Sequence, residues 1–148
     1  MTPALRTADG ERLRTRLLPG PGEGCVVLAH GFSGSLDRPA VRQVARALAR
    51  HTSVLAYDAR GHGASTGRTT LGDREVLDVD AAVAGHLLAS PPDAVACVHV
   101  ALSHARSLAA AAGEPVELWV EPGFAHAETG ASTDLLDRLG AGLVRMAA

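Results

Sequence analysis

Residues 25–30 of the chain read CVVLAH, and the sequence continues as GFSGS through residue 35. The run up to His30 is apolar and is bounded by glycines, which is typical of a strand covered on both faces of a sheet. A helix signal follows, because Asp37 and Pro39 precede Val41, Val44 and Leu48 at helical spacing. This stretch therefore predicts a buried strand, a loop and a helix, in that order.

The same order of strand and helix recurs along the rest of the chain. A second buried-strand pattern, TSVLAYD, covers residues 52–58, and a glycine-rich loop separates it from a helix that begins near Asp73. Further strands are predicted at residues 94–100 and 115–121, and each is followed by a helical pattern. Alternating strands and helices indicate a parallel sheet with helices on its faces. We predict one α/β domain over residues 1–148, a three-layer sandwich with a mostly parallel sheet.

Composition and charge exclude several classes of partner. The formal net charge of -2 gives no electrostatic reason to expect nucleic acid. No apolar run reaches the length of a membrane span, and the N-terminus lacks the apolar core of a signal peptide, so we expect a cytoplasmic protein. Seven histidines are present, but none forms an H-x-x-x-H or H-E-x-x-H pattern, and we predict no metal site.

The loops that follow the predicted strands are the place to look for a site. Right-handed crossovers put the carboxyl ends of parallel strands on one rim, where ligands of such folds bind. Three loops there carry polar and glycine residues: HGFSGS at 30–35, DARGHGAS at 58–65 and EPGFAHAE at 121–128. An alternating segment, RLRTRLL at 12–18, predicts an additional strand at a sheet edge.

These loops and their flanking strands resemble the α/β-hydrolase family, in particular its serine esterase, lipase and monoacylglycerol-lipase-like branch. The motifs that carry the resemblance are VVLAHGFSGS, YDARGHGAS and the late segment HARSLAAAAGEPVELWVEPGFAHAE. The resemblance implies an oxyanion loop at His30, Gly31 and Phe32, with the Phe32 amide as donor, and a catalytic base at His126. It also implies carboxylic ester or acyl-lipid substrates and no cofactor.

Two serines compete for the role of nucleophile. Ser65 satisfies the G-x-S-x-G pattern, but a nucleophile elbow needs a buried strand directly before the serine and a helix starting at it. Here the pattern lies inside a long loop. Ser33 follows a buried strand, yet its flanking sequence matches the oxyanion loop, so a hydroxyl bonded to local backbone is the alternative reading.

The middle of the family pattern is missing. Only five residues, ASPPD, stand between Leu88 and Ala94, too few for a buried strand, an elbow and a crossover helix. Ser103 lacks the glycine neighbours of an elbow, and no Asp or Glu lies between Val98 and Arg106 to orient the base histidine. We therefore predict a truncated α/β-hydrolase fold, joined near residues 88–103, with reduced or no activity.

Two other functions stay open on the sequence. A non-catalytic binding or vestigial domain would explain the missing elbow, and open sheet edges left by the lost strands would allow a homodimer. A flavodoxin-like ligand-binding module fits the order of elements. It ranks last, because no glycine loop for phosphate stands between a strand and a helix.

Overall fold

The computed structural model describes residues 4–22, 24–31, 33–87 and 94–98, together with residues 134, 137, 138 and 141, which are helical. The strands and helices, in chain order, are β1 (Leu5–Arg6), β2 (Arg12–Leu13), β3 (Thr15–Leu18), β4 (Cys25–Ala29), α1 (Pro39–Leu48), β5 (Ser53–Tyr57), α2 (Glu75–Leu87) and β6 (Ala94–Val98).

Four of the strands form one mixed sheet in the order β3-β5-β4-β6. β4 runs parallel to both of its neighbours, with Cys25 opposite Ser53 on β5 and Ala94 on β6. β3 pairs antiparallel with β5, with Thr15 opposite Tyr57. The predicted α/β class and mostly parallel sheet are confirmed, and the alternating segment at 12–18 contributes the edge strand β3.

Side chains of β4 point alternately into two separate apolar clusters. Val26 and Leu28 pack with Leu48 of α1 on one face of the sheet. Cys25, Val27 and Ala29 pack on the other face with a cluster that includes Ala82 of α2. Full burial of one valine side chain contributes about 1.5–3 kcal/mol. The central strand thus holds a helix on each face of the sheet, which gives the three layers.

α1 shows why the sequence forms a helix at this place. Pro39 occupies the first turn, where its missing N–H costs nothing. The inner face buries Ala45 and Leu48, while three arginines at positions 42, 46 and 50 are exposed. The helical spacing of apolar residues that the sequence predicted is therefore the spacing of the residues that pack against the core.

The strand that follows α2 lies beside β4. β6 pairs with β4 over five residue pairs, from Cys25 opposite Ala94 to Ala29 opposite Val98. In the part of the chain that the structure describes, the sheet therefore continues directly from β4 to β6.

The predicted strand at 115–121 and the loop at 121–128 lie outside the described residues. The structure also does not test the predicted join near 88–103. Among the helices with described residues, none is long and apolar enough to cross a membrane.

Candidate functional site

The candidate site lies where the parallel strands end. β4 leads into the β4–α1 loop, residues 30–38, and β5 leads into the β5–α2 loop, residues 58–74. Since Ala29 and Tyr57 are opposite each other in parallel register, the two loops start side by side. This is the rim that the sequence predicted for ligand binding.

Asp58, directly after β5, joins the two loops. Its side chain is fully buried. One carboxylate oxygen accepts the Leu36 N–H at 2.6 Å, and the other accepts the Ala64 N–H at 3.2 Å. The guanidinium of Arg14 adds an ion pair at 3.3 Å. Gly63 lies against this carboxylate with φ +52°, and a Cβ there would collide with Asp58.

His30 lies in the β4–α1 loop, and its side chain is hydrogen-bonded to the β5–α2 loop. Its Nδ1 lies 2.8 Å from the Gly31 carbonyl oxygen, and its Nε2 lies 3.1 Å from the Ala59 amide nitrogen. The carbonyl requires a donor and the amide requires an acceptor, so this pattern assigns the neutral Nδ1–H tautomer. Burial lowers the pKa of His30, and neighbouring His62 adds to that effect. The Gly31 carbonyl and the Asp58 carboxylate each raise the pKa of His30, but by less than burial lowers it.

His62 makes the reverse connection, from the second loop to the first. Its Nδ1 lies 3.0 Å from the Arg60 carbonyl oxygen, and its Nε2 accepts the Ser33 N–H at 3.2 Å. The rings of His30 and His62 meet edge to face with centroids 5.1 Å apart. Ser33 itself is exposed and has φ +63°, a conformation that costs a non-glycine residue about 1–2 kcal/mol.

Ser65 has a different environment from Ser33. Its hydroxyl donates to the Asp58 carbonyl oxygen at 2.6 Å and accepts the Arg14 N–H at 2.9 Å. These two bonds fix the loop against the backbone next to β3. The residues after Ser65 continue as loop until α2 begins at Glu75, so the serine does not lie on a strand-to-helix elbow.

Behind the rim, a buried arginine links three parts of the chain. Arg60 is 2% exposed and binds Asp78 of α2, which is fully buried. It also binds Asp9 of the β1–β2 hairpin through two nitrogens, at 2.7 and 3.1 Å. The hydrogen bond to Asp9 raises the pKa of Arg60, and the same bond holds the pKa of Asp9 well below its usual range. The hairpin is thereby fastened to the β5–α2 loop.

A polar cavity of about 440 Å³ opens beside this arginine. Its lining carries both signs of charge, and it consists of Asp9, Glu11, Arg60, Gly67, Arg68, Thr70 and Arg74. Neither candidate serine contributes to this lining. The cavity therefore lies apart from the residues that the sequence assigned to an ester site.

Of the predicted site residues, the structure brings His30, Gly31 and Ser33 together at the rim, while Ser65 is bonded to the backbone of Asp58 and Arg14. Phe32 and His126 lie outside the described residues, as does Ser103. Among the described residues, no group of three His, Cys, Asp or Glu side chains is arranged to hold a metal ion.

Sequence reasoning placed the loop DARGHGAS at the rim, but it gave Asp58, Arg60 and His62 no individual role in shaping the site. A signal was present, because all three belong to one polar run, DARGH, directly after a buried strand. Polar residues at the carboxyl end of a parallel strand are placed at the ligand-binding rim.

The topology and the paired rim loops define an α/β protein whose candidate site lies at the ends of parallel strands. Residues 26–146 match the model of the family described as "Alpha/beta hydrolase family". This chain therefore belongs to the α/β-hydrolase family. No curated protein matches it.

Solved structures give the same result. An esterase of Pyrococcus furiosus is 30% identical, with a TM-score of 0.62 over 72% of this chain and 45% of the esterase. A lidless serine hydrolase of Xanthomonas campestris is 25% identical, with a TM-score of 0.58 over 71% of this chain and 55% of that protein.

A serine hydrolase homologue from Coxiella burnetii shows the fold alone. It is 20% identical, with a TM-score of 0.60 over 74% of this chain and 59% of that protein. The chain thus spans about half the length of the structures that it matches.

Proposed function

We propose that this chain is a serine-hydrolase type protein whose rim recognises carboxylic ester or acyl substrates, with reduced or no turnover. The observation that carries the proposal is the pairing of the two rim loops through Asp58, His30 and His62. This pairing holds the loop that would present the Phe32 amide to a developing oxyanion. The 30% identity to an esterase supports the substrate class.

The reduced turnover rests on the lack of a presented nucleophile among the residues that the structure describes. In an intact relative a serine attacks the carbonyl carbon, and a histidine takes the serine proton and returns it to the leaving alcohol. Here Ser65 is bonded to backbone, Ser33 lies on a loop six residues before α1, and β6 is followed by His99 and Val100 rather than by a serine. Proton transfer by His126 would therefore have no correctly placed hydroxyl to serve among the described serines.

Active-site labelling tests the turnover. We expect the purified, folded chain to react with a fluorophosphonate probe, and to hydrolyse short-chain p-nitrophenyl esters, at least about a thousandfold more slowly than the P. furiosus esterase. Labelling that disappears in Ser33→Ala or Ser65→Ala, but persists in Ser35→Ala, would overturn the reduced-activity proposal. Ser35 is the matched control because it lies in the same loop as Ser33.

Binding tests the substrate class separately. Titration of the ¹⁵N-labelled chain with a short ester such as ethyl butyrate is expected to shift the amide signals of Gly31 and Ser33. Signals of buried α1 residues such as Ala45 should stay in place. If no rim amide signal shifts up to the solubility limit of the ester, recognition of an ester is contradicted, whatever the labelling shows.

A non-catalytic domain that self-associates is a second candidate function. It is favoured by β6, which pairs with β4 alone among the described strands and ends the described sheet. An open parallel edge invites pairing with a second copy. Sedimentation velocity over a hundredfold range of concentration should then show a dimer, with slower amide exchange in residues 94–98. A monomer throughout that range would exclude it.

A further inference from the structure

The two rim histidines form a reciprocal connection between loops. His30 belongs to the β4–α1 loop and accepts the N–H of Ala59 in the β5–α2 loop. His62 belongs to the β5–α2 loop and accepts the N–H of Ser33 in the β4–α1 loop. Each imidazole thus uses Nε2 as an acceptor for a backbone donor of the opposite loop. We call this pair of crossed hydrogen bonds the histidine clasp.

Each ring is also fixed from its own loop. The Gly31 carbonyl oxygen lies 2.8 Å from Nδ1 of His30, and the Arg60 carbonyl oxygen lies 3.0 Å from Nδ1 of His62. Both carbonyls hold the proton of the neutral ring on Nδ1 and leave the Nε2 lone pair to the opposite loop. The Gly34 position is packed as well, because a Cβ there would lie 2.8 Å from Nδ1 of His30.

A second proton on either ring is incompatible with this arrangement. An imidazolium carries N–H at both nitrogens and has no acceptor left. The new Nε2–H would face the N–H of Ala59 or of Ser33, so that two donors would meet head to head. Because the ring centroids are 5.1 Å apart, charging both rings would add repulsion between them.

We propose that the histidine clasp is a proton-sensitive latch, which holds the two rim loops together at neutral pH and releases them in mild acid. Release would free the β4–α1 loop, including the strained Ser33, from the β5–α2 loop. The proposal concerns the geometry of the rim and does not depend on ester turnover.

The charged groups around the clasp decide how readily it takes up a proton. Asp58 lies 3.9 Å from Nε2 of His30 and favours its charged form, but the Arg14 guanidinium already pairs with that carboxylate. On the His62 side, the guanidinium of Arg38 donates to the Ser33 carbonyl oxygen at 3.3 Å.

For His30 the balance has a stated direction. Burial lowers the pKa of this ring below that of an exposed imidazole, about 6.5, since the buried site disfavours charge. The open loop therefore binds protons more readily than the closed loop. The closed state is favoured most above about pH 6.5 and loses that preference as the pH falls further.

Nuclear magnetic resonance of the full ¹⁵N-labelled chain tests the latch. At pH 8, long-range ¹⁵N–¹H spectra are expected to show the Nδ1–H tautomer for both His30 and His62. Between pH 6 and 5, exchange of the Ser33 and Ala59 amides, corrected for intrinsic chemistry, should accelerate by up to about tenfold per pH unit for one linked proton.

A variant with a non-titrating acceptor separates the latch from general acid unfolding. In His62→Gln the amide oxygen can accept the Ser33 N–H without titrating, so the acid acceleration at Ser33 should disappear. His51→Gln is the matched control, since His51 lies three residues after α1 and outside the clasp, and it should leave the acceleration intact.

Two results would overturn the proposal. One is an Nε2–H tautomer in either ring at pH 8, which is measured on the unmodified chain and does not depend on the folding of any variant. The other is exchange of the Ser33 and Ala59 amides that shows no acid acceleration, or acceleration at Ser33 that is unchanged in His62→Gln.

Discussion

Asp58 is a single carboxylate on which the arrangement of both rim loops depends. It accepts the buried N–H of Leu36 and the half-buried N–H of Ala64 and pairs with Arg14, while its own backbone carbonyl accepts the Ser65 hydroxyl. A buried donor left without a partner costs roughly 1–3 kcal/mol. The energetic importance of Asp58 therefore lies mainly in the groups that it satisfies.

Replacing Asp58 with alanine is expected to lower the free energy of unfolding by about 3 kcal/mol, because the Leu36 and Ala64 amides lose their acceptor and Arg14 loses an acidic partner while keeping Asp37. Urea unfolding followed by circular dichroism measures the change. The exposed Asp80→Ala, on α2, should alter stability by less than about 0.5 kcal/mol. Equal effects of the two substitutions would contradict the assigned role of Asp58.

The chemistry of the site could be predicted from the sequence only in part. The positions of His30, Gly31 and Ser33 on one rim follow from the order of a buried strand, a loop and a helix. The hydrogen bond of Ser65 to Arg14 does not follow from it, because it joins residues 51 positions apart, directly before β3 and in the β5–α2 loop. A local pattern such as G-x-S-x-G carries no information on which distant backbone will hold the hydroxyl.

At the scale of elements, the start of α2 is held by one carboxylate. Each oxygen of Glu75 accepts two hydrogen bonds: one takes the Thr69 hydroxyl and the Thr70 N–H, and the other takes the Thr70 hydroxyl and the Gly72 N–H. Partial burial opposes ionisation, but these bonds outweigh it and lower the pKa of Glu75 to about 2. The turn before α2 includes Leu71 at φ +57°, so it needs such support.

Glu75→Gln should remove a pH-dependent part of the stability. A folded-state pKa of about 2, below the unfolded value of about 4.3, means that ionised Glu75 stabilises the fold above about pH 4.3 and that this contribution is lost as the pH falls toward 2. The variant should therefore lose about 1 kcal/mol at pH 7, and the difference from wild type should shrink toward pH 2.

Urea unfolding at pH 7, 4 and 3 measures this dependence, and Asp80→Asn provides a control carboxylate with exposed surroundings. A difference between Glu75→Gln and wild type that stays constant down to pH 3 would show that Glu75 does not act through its charge.

The strands of the main sheet could be predicted from the sequence, whereas the β1–β2 hairpin could not. Apolar runs such as residues 25–30 bury both faces, and burial imposes the strand whatever surrounds it. β1 and β2 have two residues each, too few for any periodicity. The ion pair between Asp9 and Arg60, 51 positions apart, helps to hold the hairpin in place.

At the scale of the whole molecule, Arg60 joins the hairpin, the β5–α2 loop and α2. Its guanidinium is almost completely buried between Asp9 and Asp78. Removing one member of a buried ion pair leaves an uncompensated charge, which typically costs 3–5 kcal/mol. The hairpin should therefore be the first part to detach when this arginine is lost.

Arg60→Ala is expected to reduce the free energy of unfolding by about 3 kcal/mol or more, and Arg60→Lys should recover little of it, since an ammonium cannot bind both carboxylates in a planar fork. Urea unfolding and amide exchange of Thr7 and Leu13 measure the loss. Arg68→Ala, from the exposed part of the same loop, serves as the control. A full rescue by lysine would contradict the bidentate role.

The rate at which the Cys25 thiol is alkylated reports whether the native sheet stays closed. Cys25 lies on the central strand with 1% exposure, and burial raises the pKa of its thiol, so that reagents reach a reactive sulfur only when the layers part. In a Cys97→Ser background, iodoacetamide should modify the native chain about a thousandfold more slowly than the urea-unfolded chain. Alkylation at equal rates would mean that the native chain does not hold its sheet closed around Cys25.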